Sequence, residues 1–477
     1  MRKQATLLIL LLSILSFAGS FAQSTTEDEA VRLLSEYLQI PSVTGNELEA
    51  GTFLAQKAAE MGLHIRTFTQ EQGRYNFAAS LYPLSEGKPN VILLNHIDVV
   101  EAGDKSLWKY DPYSGMVAND TVWARGALDC KGLGAMQLAA MEAFVDTAKK
   151  ADLAYNITLL SVSGEEVGGQ NGAEIIINQY LNELNAVVVF GEGGGGMKGV
   201  LSADPERPVF GVSVAEKKSL WLKLDLKSKA YGHGAAPPSR YANKTMLASL
   251  YALTRRKPKV QFVPANILML RELGKVETGL KGMALRNAGR GPLNSVLKKK
   301  LIADPNTLAI STNTIVITKI MNPPGPANQI ANKISATLDC RLLPGVSTEA
   351  FLKELKGLLR GFGRKIDVSI IGESVDAPMS NPNDFFIYFK NAIQKNYTDA
   401  EVLPMLLPAT SDNGFFRAKG IPTFGIMPML MDNSQFACIH GTNERISVKQ
   451  YLKGIQVFED FIYFVMTNKG KVAKSNQ

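Results

Sequence analysis

The sequence has few cysteines, few histidines and no long apolar run beyond its first residues. The three cysteines, Cys130, Cys340 and Cys438, are odd in number and far apart, which makes a disulfide framework improbable. No later stretch is apolar enough over sufficient length to span a membrane. The chain also has no internal repeat and no low-complexity tract. Disulfide-stapled, multi-spanning and repeat architectures are therefore excluded.

Charge of one sign is not concentrated enough to indicate a nucleic-acid partner. The formal net charge is +8, and the basic residues are scattered apart from Lys298–Lys300 and the tail around Lys469. Short runs of this kind are usually solvated, so we expect no nucleic-acid binding. With 477 residues, 45% of them hydrophobic, the chain can bury a large core and should contain more than one domain.

The first residues have the pattern of a secretory signal peptide. Arg2 and Lys3 precede the short apolar run Leu7–Phe17, and small residues lead to Ala22. We expect cleavage near Ala22, a secreted or periplasmic location, and no membrane insertion after signal removal. An uncleaved anchor is the alternative, but the run is short for a span.

Short apolar segments bounded by polar turns predict buried parallel strands that alternate with helices, as in Val91–Leu94 and Ile157–Val162. We therefore predict an α/β fold with a mostly parallel sheet flanked by helices. From about residue 213 the pattern alternates, which predicts an inserted α+β domain. The predicted organisation is a signal peptide at 1–22, a catalytic domain at 23–212 and 374–477, and the inserted domain at 213–373. Segment 255–310, rich in Lys, Arg and Gly, gives no clear pattern.

Three of the four histidines lie in short polar or glycine-rich clusters: His96, His233 and His440. Acidic residues at predicted strand ends accompany them along the chain, namely Asp98, Asp129, Glu165, Glu166 and Glu192. Scarce imidazoles together with carboxylates at strand ends are typical of a metal site, and open α/β sheets place their sites at that edge.

These residue types allow a division of roles. A carboxylate can bridge two ions through its two oxygens, and Asp129, in a glycine-flanked loop, is the candidate. Asp98 is two residues after His96 and can accept the second N–H of that imidazole. In the pair Glu165-Glu166, one carboxylate can bind metal while the other acts as general base.

Six motifs in order carry a resemblance over nearly the whole mature chain: His96-x-Asp98, Arg125-Gly-Ala-Leu-Asp-Cys-Lys-Gly132, Gly164-Glu-Glu166, Glu192-Gly-Gly194, Gly232-His-Gly234 and His440-Gly-Thr-Asn-Glu444. They resemble the di-zinc aminoacylase/carboxypeptidase metallopeptidase family, which includes glutamate carboxypeptidase, aminoacylase and succinyl-diaminopimelate desuccinylase. The stretch Gly211–Lys217, followed by His233, is most similar to the carboxypeptidase S and N-acyl-amino-acid hydrolase branch.

The resemblance implies a ligand set. His96 and Glu192 would hold one zinc ion, Glu166 and His440 the other, with Asp129 bridging. Two Zn²⁺ per chain are expected, and Co²⁺ or Mn²⁺ could occupy similar N/O sites. The resemblance also implies that Glu165 is the general base and that Asp98 orients His96.

Further roles follow from the resemblance. His233, in the inserted lid domain, would stabilise the oxyanion. In family dimers this histidine reaches across to the metal site of the partner chain, so a homodimer through the inserted domain is expected. Arg341 matches a family position that binds the substrate carboxylate. Gly414 matches a loop that offers backbone N–H groups to the substrate, and Asn328 matches a position that contacts the substrate. The residues after Asn328 depart from the family pattern.

The residue after the bridging aspartate departs from the family as well, because it is Cys130. We expect its side chain to point away and pack as a small hydrophobe, with metal ligation as the alternative. Family members have a cis peptide bond after the aspartate, so the resemblance implies one at Asp129–Cys130.

The expected function is a secreted, zinc-dependent amidohydrolase. It would cleave an amide next to a free carboxylate, in a dipeptide, a C-terminal residue or an N-acyl amino acid. A di-zinc aminopeptidase is an alternative, although such enzymes usually lack an inserted domain. A metal-binding relative without activity is a third, but it should have lost a ligand or Glu165.

Overall fold

The computed structural model describes residues 27–71, 73–229, 232–359 and 366–468. The predicted signal peptide and its cleavage point lie outside the described residues. The strands are β1 (His64–Glu71), β2 (Arg74–Ser80), β3 (Asn90–His96), β4 (Met116–Val117), β5 (Thr121–Trp123), β6 (Asn156–Val162), β7 (Ala186–Gly191), β8 (Gly195–Met197), β9 (Val209–Glu216), β10 (Lys218–Lys227), β11 (Gly232–His233), β12 (Thr314–Met321), β13 (Gln329–Ile330), β14 (Lys333–Leu342), β15 (Ile366–Glu373), β16 (Glu401–Leu407), β17 (Thr423–Gly425) and β18 (Arg445–Ser447).

The helices lie between these strands. They are α1 (27–38), α2 (Leu48–Glu60), α3 (Lys131–Glu142), α4 (Val145–Lys150), α5 (Ala173–Ile175), which continues through a π-helical turn into α6 (Leu181–Leu184), α7 (Ala242–Thr254), α8 (Pro264–Val276), α9 (Gly279–Arg286), α10 (Asn294–Ala303), α11 (Pro305–Ser311), α12 (Thr348–Leu359), α13 (Asp384–Asn396), α14 (Asn413–Ala418), α15 (Asn433–Phe436) and α16 (Val448–Thr467). Among the described residues, every helix is too short or too polar to cross a membrane.

The larger sheet carries the catalytic domain. Within the described ranges its strand order is β1-β2-β6-β3-β7-β17-β9-β16, with β8 paired to β9. The central strands β6, β3, β7 and β17 run parallel to one another. Helices pack on both faces and form two apolar layers, and Leu93 and Leu94, adjacent in β3, point into opposite ones. The predicted α/β fold with a mostly parallel sheet is confirmed.

Burial on both faces explains why the central strands are continuous apolar runs. Every residue of β3 and of β6 is buried. A strand covered on both sides needs no polar alternation, and the polar side chains of the candidate site come at its carboxyl end or just after it. The polar clusters of the sequence therefore fall at one edge of the sheet.

The smaller sheet, order β12-β14-β10-β15, has one covered face. Alternate residues of β10, such as Leu220 and Leu222, pack with α7 and α12 into a separate core. Strand β9 continues in the large sheet to Glu216, and the small sheet begins at Lys218. The predicted limits 213 and 373 remain predictions of the domain boundaries.

Segment 255–310, which gave no clear sequence pattern, contains helices α8–α11. Helix α8 lies against β16, the edge strand of the large sheet, where Ala265 packs near Leu406 and Leu273 near Leu403. This part of the inserted segment therefore contacts the catalytic sheet as well as the small one.

Candidate active site

Three neighbouring strands of the large sheet deliver the first ligands. His96 is the last residue of β3, Glu165 and Glu166 follow β6, and Glu192 follows β7. Because β6, β3 and β7 are adjacent and parallel, their carboxyl ends bring these side chains together. The site thus follows from strand order.

Asp129 lies between two imidazoles. Its Oδ1 is 3.0 Å from His96 Nε2, and its Oδ2 is 3.0 Å from His440 Nε2. His440 Nε2 is also 3.1 Å from Glu166 Oε2, and His96 Nε2 is 3.6 Å from Glu192 Oε2. The five residues that the resemblance assigned to metal are therefore brought together, paired as it implied, with Asp129 in the middle.

The electrostatics of this cluster are those of a cation site. Hydrogen bonds to Asp129 and Glu166 raise the pKa of His440 to about 10. Burial, together with the charge of Asp129, raises the pKa of Glu192 to about 7. Burial opposes the charged form of His96, but the surrounding acidic groups outweigh it and raise its pKa well above the usual range. The carboxylates concentrate negative charge that a divalent ion would neutralise.

The donor set fits divalent metal ions. Imidazole nitrogens and carboxylate oxygens are common ligands of zinc, and a carboxylate with one oxygen toward each histidine can bridge two ions. Glu166 Oε1 is buried and has no hydrogen-bond partner among the described residues, while its Oε2 faces His440. An unpartnered buried carboxylate oxygen is costly unless a cation or donor satisfies it.

Glu165 differs from its neighbour. Burial, reinforced by the charge of Glu192, raises its pKa well above the usual range. It makes none of the close contacts to the two histidines that Glu166 makes to His440. A carboxyl group that resists ionisation beside the ligands is suited to take up and return a proton.

Asp98 contacts His96 and the two adjacent glutamates. His96 Nδ1 lies 2.9 Å from the backbone oxygen of Asp98, but 3.5 Å from its carboxylate Oδ1, which is too long for a good hydrogen bond. The Asp98 carboxylate instead accepts backbone N–H bonds from Glu165 and Glu166, each at 3.1 Å, and a hydroxyl bond from Thr44 at 2.8 Å. Asp98 therefore orients His96 through its main chain and the two glutamates through its side chain.

The loop that carries Asp129 is held by a residue to which we assigned no role. Buried Glu444 accepts backbone N–H bonds from Gly126, Leu128 and Asp129 at 2.7–3.0 Å, and a guanidinium bond from Arg125 at 2.6 Å. Both residues stand in the quoted motifs, but sequence alone does not show that the two motifs meet. The predicted cis peptide bond at Asp129–Cys130 is confirmed.

Two residues after β16 complete the surroundings. Asp412 is buried, and its Oδ2 has no partner among the described residues. Asn413 donates its amide N–H to the backbone oxygen of Glu192 at 2.7 Å. From the sequence, only Gly414 of this loop was expected to contribute to the site, and neither Asp412 nor Asn413 was.

Cys130 is buried in the main apolar cluster, as expected of a small hydrophobe. Its sulfur, however, also lies within 4.8 Å of ligand atoms of His96 and Glu192. The expectation that its side chain points away from the site is therefore wrong, because the thiol lies beside the candidate ligands.

The predicted substrate residues lie around the second sheet. Among the described contacts, His233 makes hydrogen bonds within the inserted domain and none to the metal ligands. Its Nδ1 accepts the N–H of Ala235 at 3.0 Å, and the side-chain nitrogen Nδ2 of Asn328 lies 3.0 Å from its Nε2. His233 and Asn328 are thus neighbours, both exposed.

Arg341 and Gly414 lie where the inserted and catalytic domains meet. Arg341 makes two bonds to Asp339, at 2.9 and 3.1 Å, and one to Thr410 at 2.6 Å. A Cβ on Gly414 would lie 2.4 Å from Glu216 Oε1, so only glycine fits there without movement. The substrate roles of Arg341, Gly414 and Asn328 remain predictions.

The family follows from comparison with known proteins. Residues 92–463 match the model of Peptidase family M20/M25/M40, and this chain belongs to that family. It is a hydrolase of the metallopeptidase type, and the predicted resemblance is confirmed.

Among curated relatives, the chain is similar to aminoacylase-1A of Rattus norvegicus, 25% identical over 91% of this chain and 94% of the relative. It is also similar to a probable carboxypeptidase S-like 2 of Dictyostelium discoideum, 24% identical over 83% and 75%. Among solved structures, an M20 metallo-carboxypeptidase of Sulfolobus solfataricus has a TM-score of 0.69 at 21% identity, covering 92% and 99%. A dinuclear metal-binding M20 peptidase of Bacillus subtilis has a TM-score of 0.54 at 11% identity, covering 93% and 99%.

Proposed function

We propose that this chain is a secreted enzyme that binds two zinc ions and hydrolyses an amide bond next to a free carboxylate. The observation that carries the proposal is the position of Asp129, with one oxygen 3.0 Å from each of two histidines. The substrate would be a dipeptide, a C-terminal residue or an N-acyl amino acid.

The residues divide the chemistry as follows. His96 and Glu192 would hold one ion, Glu166 and His440 the other, with Asp129 shared. Two bound divalent ions would supply Lewis acidity toward a water molecule and the substrate carbonyl. Glu165 accepts a proton from the attacking water and returns it to the leaving amine nitrogen, a role that its raised pKa favours.

Substrate recognition would come from the domain junction. The imidazole of His233 would donate a hydrogen bond to the developing oxyanion. Arg341 would bind the substrate carboxylate, with Asn328 and the backbone of Gly414 beside it. The guanidinium of Arg341 already pairs with Asp339, so substrate must share that cation or displace its partner.

The first experiment separates the two adjacent glutamates. Glu165→Gln should keep two ions per chain and lose activity by about 10²–10⁴-fold, since general acid–base catalysis contributes that much. Glu166→Gln should lower the affinity for one ion first. Elemental analysis and turnover are measured on both proteins. Near-normal turnover of Glu165→Gln would contradict the general-base role.

A substrate panel decides between the proposed activity and an aminopeptidase. N-acyl amino acids and dipeptides present a free carboxylate, whereas amino-acid amides present only a free amino end. We expect hydrolysis of the first group. A dipeptide also has a free amino end, so cleavage of amides and dipeptides but not of N-acyl amino acids would favour the aminopeptidase. No cleavage of any of them by the metal-loaded protein would favour an inactive relative.

We also propose a homodimer through the inserted domain. His233 is exposed, and the edge strands of the small sheet expose Val316, Ile320 and Ile371 to between 49% and 56%. Mixing inactive His233→Ala with inactive Glu165→Gln should restore part of the activity, because one site of the hybrid then has both groups. No recovery after verified subunit exchange would leave His233 acting within its own chain.

A further inference from the structure

The positive charge of this protein is concentrated in one part of the inserted segment. Residues 255–304 contain twelve Lys or Arg and three Asp or Glu, a formal charge of +9 against +8 for the whole chain. All other residues together therefore sum to −1. The expectation that basic residues are scattered along the chain is therefore wrong for this segment.

These fifty residues form a small helical unit with outward-facing cations. Residues of α8, α9 and α10, including Leu270, Leu285 and Leu297, share one small apolar core. Ten of the twelve basic side chains are exposed. Within the described part of the chain, the ion pairs of this segment involve Arg256, Lys275 and Lys281, and none involves Lys298–Lys300.

Large apolar side chains are exposed among these cations. Leu280 is 79% exposed and Met283 46%, both on α9, and Val296 on α10 is 57% exposed, one turn before Lys299 and Lys300. Along α8, Ile267 and Leu268 line an open groove of about 730 Å³, together with cations that include Arg271, Lys275 and Arg286. Apolar groups between basic ones are costly in water but favourable at the boundary between lipid headgroups and acyl chains.

We propose that the helical unit 255–304 binds the surface of an anionic membrane. The lysines and arginines would contact acidic headgroups, while Leu280, Met283 and Val296 would enter the interface. Charge complementarity selects the occupant: a helical unit of formal charge +9, with ten exposed cations, on a chain otherwise near neutral attracts a negative surface and orients the protein toward it. Nucleic acid is a poorer match, because it offers nothing to exposed leucine and methionine.

The proposed attachment is peripheral. The described helices include none that spans a membrane, and α9 and α10 would lie along the surface. It concerns a part of the molecule that contributes no predicted catalytic residue. The enzymatic proposal and this one can therefore fail separately.

Co-sedimentation with vesicles tests the proposal on the metal-loaded, full-length mature protein. We expect binding to vesicles of equal parts phosphatidylglycerol and phosphatidylcholine at low salt, and little to phosphatidylcholine alone. Binding should fall steeply with salt, since the screening length shortens from about 10 Å at 0.1 M to about 3 Å at 1 M.

Two variants and a matched control identify the surface. Each lysine near an anionic surface contributes roughly five-fold in affinity, so replacing Lys298–Lys300 by glutamine should weaken binding by roughly 100-fold. Leu280→Ser with Met283→Ser should weaken it as well. The control carries Lys149→Gln, Lys150→Gln and Lys419→Gln, three exposed lysines outside the unit, and should bind as the parent does.

Thermal unfolding and hydrolysis of a small soluble substrate verify that each variant is folded. Failure of the parent to bind anionic vesicles at low salt would overturn the proposal. So would an equal loss in the control variant. The protein could instead bind duplex DNA as tightly as it binds vesicles, with no effect of the Leu280 and Met283 substitutions. That result would overturn the membrane proposal in favour of nucleic acid.

Discussion

Glu444→Gln should damage both the fold and the metal site, although its side chain touches no predicted substrate residue. The Glu444 carboxylate receives four donors: on Oε1 the N–H groups of Leu128 and Asp129, on Oε2 the N–H of Gly126 and the guanidinium of Arg125. An amide has one accepting oxygen. In either orientation, two donors would then face an NH₂ group that cannot accept.

The size of the expected loss in stability follows from the burial of this ion pair. The side chain of Glu444 is 0% exposed and that of Arg125 is 2% exposed, so the freed donors find little water. Burial raises the pKa of Glu444, whereas Arg125 and the backbone donors favour the charged form. Removing one partner of a buried ion pair costs about 3–5 kcal/mol. Since Glu444 fixes the backbone of Asp129, metal affinity should fall about 10–100-fold.

Two assays on one protein check this reasoning. Chemical denaturation of the metal-free chain gives the loss of unfolding free energy, and competition with a chelator gives metal affinity. The control is Glu206→Gln, in the exposed pair with Lys198, which should cost under about 1 kcal/mol and leave metal binding unchanged. If Glu444→Gln bound both ions with parental affinity, the proposed support of Asp129 would be refuted.

Further predictions concern packing, thiols and pH. Gly414→Ala should lose about 1–3 kcal/mol of unfolding free energy, because its Cβ would lie 2.4 Å from a buried carboxylate oxygen. Gly357→Ala, in open space on a helix, should instead gain about 0.5–1 kcal/mol by thermal unfolding. A thiol reagent should modify Cys438 alone in the folded protein, and all three cysteines after denaturation, since the other two are buried. Metal affinity should rise as pH increases from about 7 toward 10, because the raised pKa values of Glu192 and His440 leave both protonated below that window, and ions must displace those protons. Calorimetry showing pH-independent affinity would contradict the last prediction.

The sequence alone was enough to predict the class of fold and to indicate the candidate metal ligands. Short continuous apolar runs bounded by polar turns indicate strands buried on both faces, and the polar residues that follow such strands lie at a sheet edge. That logic accounts for His96, Glu165, Glu166 and Glu192. It could not predict helices α8–α11, because their apolar residues pack in several directions and so give no single helical face.

Other features were decided by the tertiary structure alone. Glu444 binds the Asp129 loop across more than 300 residues of sequence, and the carboxylate of Asp98 accepts the backbone N–H groups of Glu165 and Glu166. Main-chain donors are present at every non-proline residue, so no local pattern shows which of them a buried carboxylate will satisfy. The sequence determines which side chains can bind metal and where strands place them. Only the packed chain decides which buried groups orient those side chains, because desolvation forces each polar group to take whatever partner the fold brings within reach.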